Sequence, residues 1–385
     1  MEPEEKNMET SNKPFNVSVA FTDHMRDLGE AVMNARAIQS FDSAAAGYPI
    51  LRLARCVARR PMEQVFDDLA LKAGFAAQRL YAGSLLLDGP GVFVQAEGNR
   101  KLAYCSCSFR IWARDVELAE ATRANLLRIV GDDRARDQLF VVDWRMSGAD
   151  GELRSSTFEE VADDVLLDEA YPMLGEPVQQ FIERYVRAPE SVLILLGPPG
   201  TGKTRLVRAI LGALSRLKGD SAEVLYTADR KVLTSDTIFV DFVTGSHDAF
   251  VIEDADYLLQ PRSDGNADLH RFLMVADGVV RAEGRRMVFT TNVPNAGAID
   301  EALLRPGRCF AAVNVRRLTR EEGGRLALRL CEGDAARAER IIACALGGDA
   351  RSVSAAEVYQ AWRLEMERRA AQPIPRPALT VYAGR

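Results

Sequence analysis

The sequence predicts an α/β fold: a parallel sheet with helices on both faces, followed by a small helical domain and preceded by a separate α+β domain. Three observations predict it. Residues 191–204, SVLILLGPPGTGKT, read as a short buried strand, a glycine-rich turn and the start of a helix. Beyond them, short apolar runs alternate with amphipathic stretches, the pattern of a sheet with crossover helices. From Thr319 onward only the helical period remains.

A chain of 385 residues leads one to expect two domains. Apolar content of 47% and charged content of 27% are those of a soluble globular protein. A net charge of −6 provides no global basic field for nucleic acid. No run of 18 apolar residues occurs, so no membrane span is expected. The opening MEPEEKNMETSNKPF is acidic and polar and resembles neither a secretory signal nor an Arg-rich transit peptide, so a cytoplasmic location is expected. The six cysteines form no C-x-x-C pair, and the three histidines are far apart. Buried free thiols are therefore expected, with Cys105 and Cys107 on one face of a strand.

Residues 1–14 are charged and poor in bulky apolar side chains, and a disordered tail is expected there. Residues 15–147 make up the α+β domain. Its segments 21–41 and 62–76 have apolar positions three or four apart and read as helices. Segment 79–113 reads as several strands punctuated at Asp88-Gly89-Pro90-Gly91 and at Gly98-Asn99. A helix over 116–131 and a strand over 137–147 follow; on that strand Asp143 and Trp144 read either as a ligand site or as a half-buried strand edge. Residues 148–170, acidic and turn-rich, read as a linker. Residues 171–316 form the α/β domain. It opens with an amphipathic helix over Pro177–Val186, and further strands are expected at 223–229, 249–256, 286–292 and 309–316. Segment 234–246 has an ambiguous period, and 268–284 reads as a helix. Residues 317–370 form the helical domain, with capping boxes at Thr319–Glu322 and Ser354–Glu357. The proline-rich end, 371–385, reads as an extended tail.

The chemistry begins at G-x-x-x-x-G-K-[ST]. The turn Gly197, Pro198, Pro199, Gly200, Thr201, Gly202 lets backbone N–H groups point inward at phosphates, and the helix that starts there adds its positive end. Lys203 supplies a point charge for the β- and γ-phosphates, and Thr204 a hydroxyl for Mg²⁺. These residues define a phosphate-loop NTPase, for which a nucleoside triphosphate is the expected ligand. AFVIED (249–254) ends in two adjacent carboxylates at the strand end where α/β sheets bind ligands. Glu253 is assigned to the metal shell and Asp254 to activation of the attacking water. Asn292, ending VFTTN, offers an uncharged amide to the γ-phosphate and the water; a plain turn residue is the competing reading. Arg305 and Arg308 sit three apart around Pro306-Gly307. Two guanidiniums on such a turn suit a clamp on phosphate oxygens, and their distance in sequence from Lys203 permits action on a neighbouring subunit's nucleotide.

GPPGTGKT, AFVIED, VFTTN and IDEALLRPGRCF occur in the order and spacing of the AAA ATPases, and residues 171–370 resemble that family. The resemblance implies an ATPase that uses ATP and Mg²⁺, an α/β subdomain with a helical lid, and a homo-oligomeric ring, commonly a hexamer. It casts Asn292 as the first sensor and Arg305 with Arg308 as arginine fingers. The order Glu253-Asp254, in place of Asp-Glu, is similar to the branch that contains the mitochondrial inner-membrane translocase of the Rieske protein. No such membrane anchor is expected here, and that function is not carried over. Three departures from the family pattern stand out. Asp254 is one methylene shorter than the usual glutamate, so slow hydrolysis is expected. Segment 226–246 lacks an aromatic–apolar–Gly pore loop; Tyr226, Phe239 and Phe242 read as stand-ins or as core. Arg351 is the candidate for a second-sensor arginine in the lid.

The leading expectation is an ATP-hydrolysing ring that remodels a protein or protein complex, with residues 15–147 binding the partner or stacking rings. One alternative is a nucleotide-gated scaffold or assembly switch with slow turnover, favoured by Asp254 and the short pore segment. The other is a nucleic-acid-dependent motor, for which only the basic clusters Arg52–Arg60 and Arg281–Arg286 speak.

Overall fold

The computed structural model describes residues 48–370, apart from 82, 102–103, 132–138, 150, 163–164, 262–268, 271, 274–283 and 348–350. Both expected tails, the expected helix at 21–41 and most of that at 268–284 lie outside the described residues. The chain divides into two compact units, Met1–Arg136 and Asp137–Arg385.

The first unit is an antiparallel five-stranded sheet in the order β1-β5-β4-β3-β2. Its strands are β1 (Ile50–Ala58), β2 (Ala76–Tyr81), β3 (Ser84–Gly89), β4 (Val92–Arg100) and β5 (Cys105–Ala113). Helices α1 (Met62–Lys72) and α2 (Val116–Val130) share a core with one face of it, where Val65, Phe66, Leu69, Ala119 and Leu126 meet Cys107, Phe109 and Ile111. Asp115 caps α2 by accepting from the Leu118 amide at 2.8 Å. Gly98-Asn99 is not a turn: both residues lie within β4, where a Cβ at Gly98 would meet Met62 and Phe66 of α1 at 2.9 Å. The glycine lets a helix lie close on the strand. Cys56, Cys105, Cys107 and Cys331 are buried free thiols as expected, whereas Cys344 is exposed.

The second unit is built on a seven-stranded sheet. Its strands are β6 (Leu139–Ser147), β7 (Leu153–Val161), β8 (Val192–Leu196), β9 (Ala222–Thr227), β10 (Ala249–Ile252), β11 (Arg286–Thr291) and β12 (Cys309–Asn314), in the order β12-β8-β11-β10-β9-β6-β7. All neighbours are parallel except β6 and β7. The domain boundary therefore moves. The strand expected to close the first domain pairs instead with β9 of the second, and much of the expected linker is β7, at one edge of the sheet. Edge strands are exposed and polar, so LRSSTFEEV carries little apolar signal.

β8 alternates between two cores. Leu193 and Leu195 face α3 (Val178–Arg187) and α4 (Lys203–Lys218), whereas Val192, Ile194 and Leu196 face α5 (Arg230–Leu233), α6 (Asp236–Thr244) and α7 (Asp256–Leu259). A strand covered on both faces is apolar at every position. The ambiguous segment 234–246 is thus helix α6, started by the Ser235 cap. Phe239 and Phe242 are buried in the second core and do not stand in for a pore loop. The lid comprises α8 (Arg320–Leu330), α9 (Ala335–Leu346) and α10 (Ala355–Ala370), with a short β13 (Leu318–Thr319) and β14 (Ser352–Val353) ladder. Both expected capping boxes form: Thr319 with Glu322, and Ser354 with Glu357.

Several arginines of the basic clusters brace the fold. Arg52 pairs with Glu120, Arg60 with Asp68, and Arg285 and Arg286 donate to main-chain carbonyls, among them Gly245 and Val186. Among the described residues no helix is long and apolar enough to cross a membrane.

Candidate functional site

β8 ends at Leu196 and the chain turns at once. Gly197, Gly200 and Gly202 have φ of 136°, 79° and 104°, a region that L side chains rarely adopt. A Cβ at Gly197 would strike the Val315 carbonyl, and one at Gly202 would sit 2.8 Å from the Tyr171 hydroxyl. That hydroxyl donates to the Gly202 carbonyl at 3.0 Å, and the Thr201 hydroxyl to the Pro198 carbonyl at 2.9 Å. The turn is held from both sides and opens on the N-terminus of α4, whose first amides have no intrahelical acceptor.

Lys203 is 9% exposed. Its ammonium donates to the carbonyls of Gly197 at 2.5 Å and Pro198 at 3.1 Å, and to Asn292 Oδ1 at 3.2 Å. Burial pushes its pKa down, against the opposing pull of Asp254, Asp256 and Glu253. Thr204 donates from Oγ1 to Glu253 Oε1 at 2.9 Å, and Tyr226 donates from its hydroxyl to Glu253 Oε2 at 2.8 Å. Asp254 accepts from Asn292 Nδ2 at 3.2 Å. It stands at φ 51°, a left-handed backbone that a short acidic side chain tolerates better than a branched one.

The structure therefore brings Lys203, Thr204, Glu253, Asp254 and Asn292 together at the C-terminal ends of β8, β10 and β11, in two hydrogen-bonded sets, Lys203–Asn292–Asp254 and Thr204–Glu253. They line a cleft of about 1120 Å³ between the phosphate loop and the lid. The described residues fit a magnesium nucleotide. Gly197, Gly200 and Gly202 let the loop adopt the left-handed backbone that turns its amides toward the cleft, and Thr204 and Glu253 offer a purely oxygen donor pair, which hard cations prefer.

Arg305 and Arg308 are not part of this cleft lining. Arg305 is exposed. Arg308 is 6% exposed and donates to the Ala302 carbonyl of its own turn. The Arg308 guanidinium is thus buried against its own turn, whereas Arg305 is exposed. Arg351 is exposed on the lid but does not line the cleft; Arg363 of α10 does. Asp143 and Trp144 lie on β6, with Asp143 bound to Arg145 at 2.8 Å.

Asp256 and Tyr171 escaped sequence reasoning, and Tyr226, read there as a pore-loop stand-in or as core, was not recognised as part of the site. Asp256 accepts at Oδ1 from the Thr291 hydroxyl at 2.6 Å and from the Asn292 amide at 2.7 Å, so it holds the end of β11. Its signal was a third carboxylate two places after Asp254. Tyr171 and Tyr226 act through hydroxyls that no spacing announces.

Residues 193–317 match the model of the ATPase family associated with various cellular activities (AAA). The chain is similar to the ATP-dependent zinc metalloprotease FtsH of Magnetococcus marinus, 33% identical over 180 residues, which is 41% of this chain and 25% of that one. It is 26% identical over 187 residues to an "AAA ATPase forming ring-shaped complexes" of Bifidobacterium dentium, covering 42% of this chain and 34% of that one. FtsH 3 of Symbiobacterium thermophilum is 30% identical over 170 residues, 40% of this chain and 26% of that one. The chain thus spans about a quarter to a third of the length of these relatives.

Proposed function

The chain carries an AAA ATPase domain, and from that premise we propose that it binds ATP with Mg²⁺, hydrolyses it, and works as a cytoplasmic ring of identical subunits that remodels a protein or protein complex. The observation that carries the reading is the hydrogen-bonded convergence of Lys203, Thr204, Glu253, Asp254 and Asn292 beside the phosphate loop.

In this reading the loop amides and Lys203 bind the phosphates, exchanging the Lys203–carbonyl bonds for phosphate oxygens. Thr204 and Glu253 would hold Mg²⁺, which when bound neutralises charge on the phosphate oxygens. Asp254 orients the attacking water and takes its proton, while the Asn292 amide keeps that carboxylate in place. Asp254 is a short base, so turnover is slow. Arg305, exposed and making no side-chain hydrogen bond or ion pair among the described residues, reaches the nucleotide of the adjacent subunit. A relative whose name describes ring-shaped complexes supports that arrangement. The first unit, Met1–Arg136, binds the partner or stacks rings.

A second reading, a nucleotide-gated scaffold with slow turnover, is favoured by Asp254 and by the burial of Phe239 and Phe242, which leaves 226–246 with no exposed aromatic.

Light scattering with and without a slowly hydrolysed ATP analogue tests the ring. Assembly is expected with the analogue, and Lys203→Ala should abolish binding. Arg305→Ala should bind ATP without hydrolysing it, and mixing it with Asp254→Asn should restore turnover. A persistent monomer, or parent-like affinity in Lys203→Ala, refutes the proposal.

A further inference from the structure

We propose that Tyr226 is a positioning residue for the metal: its hydroxyl fixes Glu253 so that the carboxylate meets the cation together with Thr204. The inference rests on the function proposed above and names a residue that the phosphate-loop motifs do not contain.

Glutamate reaches its carboxylate through three rotatable bonds, and ordering it is entropically costly. Here each oxygen of Glu253 has its own partner. Oε1 accepts from Thr204 at 2.9 Å and Oε2 from Tyr226 at 2.8 Å. Two donors on two oxygens fix the carboxylate plane, which a single bond does not. The Glu253 amide also donates to the Thr227 carbonyl at 3.0 Å, so backbone and side chain are both tied to the end of β9.

The phenol is itself fixed. Tyr226 stands in register with Trp144 across the parallel β9–β6 pair, and the two rings meet edge-on at 6.3 Å. Trp144 meets Phe158 of β7 edge-on at 6.4 Å. Three strands thus set where one hydroxyl lies. A phenol, with its ordinary pKa of about 10, is a neutral donor at physiological pH.

Neutrality matters to the role. A lysine or arginine at this place would also order Glu253, but would cancel the charge that attracts a divalent cation. A phenol orders the carboxylate and leaves its charge intact. Partners that act on a metal through its ligand typically alter affinity about 10- to 100-fold when removed.

The test compares the full chain with Tyr226→Phe, which keeps the ring and removes one oxygen. Mn²⁺ binding in the presence of ADP is followed by electron paramagnetic resonance, alongside ADP affinity in chelator and the melting temperature. Metal affinity should fall about 10-fold or more, with metal-free ADP affinity and melting temperature unchanged. In a Glu253→Gln background, Tyr226→Phe should cause no further loss. Equal Mn²⁺ affinity in parent and Tyr226→Phe overturns the inference, as does a lowered melting temperature without a change in metal affinity. A loss that persists undiminished in the Glu253→Gln background also overturns it, because the phenol would then act by another route. A parent that binds no Mn²⁺ with ADP overturns the proposed function as well. A parent that binds it beside an unaltered variant overturns the Tyr226 role alone.

Discussion

Replacing Asp256 with alanine removes two hydrogen bonds from the end of β11 at once. The Thr291 hydroxyl and the Asn292 amide both donate to Asp256 Oδ1, at 2.6 and 2.7 Å. A bond to an ionised acceptor contributes about 1.5–3 kcal/mol, and a buried donor left without its acceptor bears the full desolvation cost. Thr291 is completely buried, so its hydroxyl proton has no water to turn to. Asn292 is exposed, so its amide regains water and loses little. The loss of stability should therefore be about 2–3 kcal/mol, or roughly 4–12 °C in melting temperature for a unit of this size. Activity should fall more than affinity does. Asn292 loses its backbone anchor, and with it the placement of the amide between Lys203 and Asp254, each 3.2 Å away. A fall of about 10- to 100-fold in kcat with a nearly constant KM for ATP is expected for a group that orders the reacting centre. Scanning fluorimetry and steady-state phosphate release read both effects, and Asp256→Asn, which keeps one acceptor oxygen, should recover part of each. A melting temperature within a degree of the parent together with an unchanged kcat would refute the anchoring argument.

The other expectations concern the fold around the site. Arg308→Ala should lower stability by about 1.5–3 kcal/mol in a denaturant titration, because a buried guanidinium that holds its own turn is lost; intact stability, with hydrolysis lost but rescued by mixing with Asp254→Asn, would instead make Arg308 a finger. Glu322 is pushed down to about 2 by its hydrogen bonds to Arg316, from an ordinary 4.5. A depressed carboxylate contributes stability that is complete above its unfolded pKa and is lost as pH falls through the folded one. Glu322→Gln should therefore flatten the acid-unfolding profile between about pH 4.5 and 2, and cost about 1–2 kcal/mol at neutral pH once the half-exposed Arg316 is allowed for. Superimposable profiles in parent and variant would refute the pairing.

What the residues disclosed beforehand depended on how local the determining interactions are. The phosphate loop, its strand and its helix are contiguous, and each glycine is required by the backbone of its own turn, so Gly197 to Thr204 were legible. So were the two capping boxes, which close over four residues. β6 was misassigned because its place is decided by residues 82 positions away: Val142 and Trp144 pair with Val224 and Tyr226. β7 was lost because an edge strand needs little apolar surface. At the site, Glu253 and Asp254 stood out as adjacent carboxylates at a strand end. Arg308 was read from its charge and its turn, which do not reveal that the guanidinium folds back on Ala302.

The lid rests on the phosphate loop itself. The Ala356 amide donates to the Gly200 carbonyl at 3.0 Å, and a Cβ at Gly200 would lie 3.4 Å from Ala356 Cβ and from Ser354 Oγ. Any lid movement that accompanies nucleotide entry has to break this main-chain bond. If only a fraction of molecules has the contact open, the apparent dissociation constant is the intrinsic one divided by that fraction. One hydrogen bond of about 1 kcal/mol makes the closed form roughly five times as populated as the open one. Residues 200 and 356 thus work as a washer of fixed thickness between two moving parts. Enlarging Ala356, which lies outside the phosphate loop, should favour the open lid and tighten nucleotide binding without touching a phosphate.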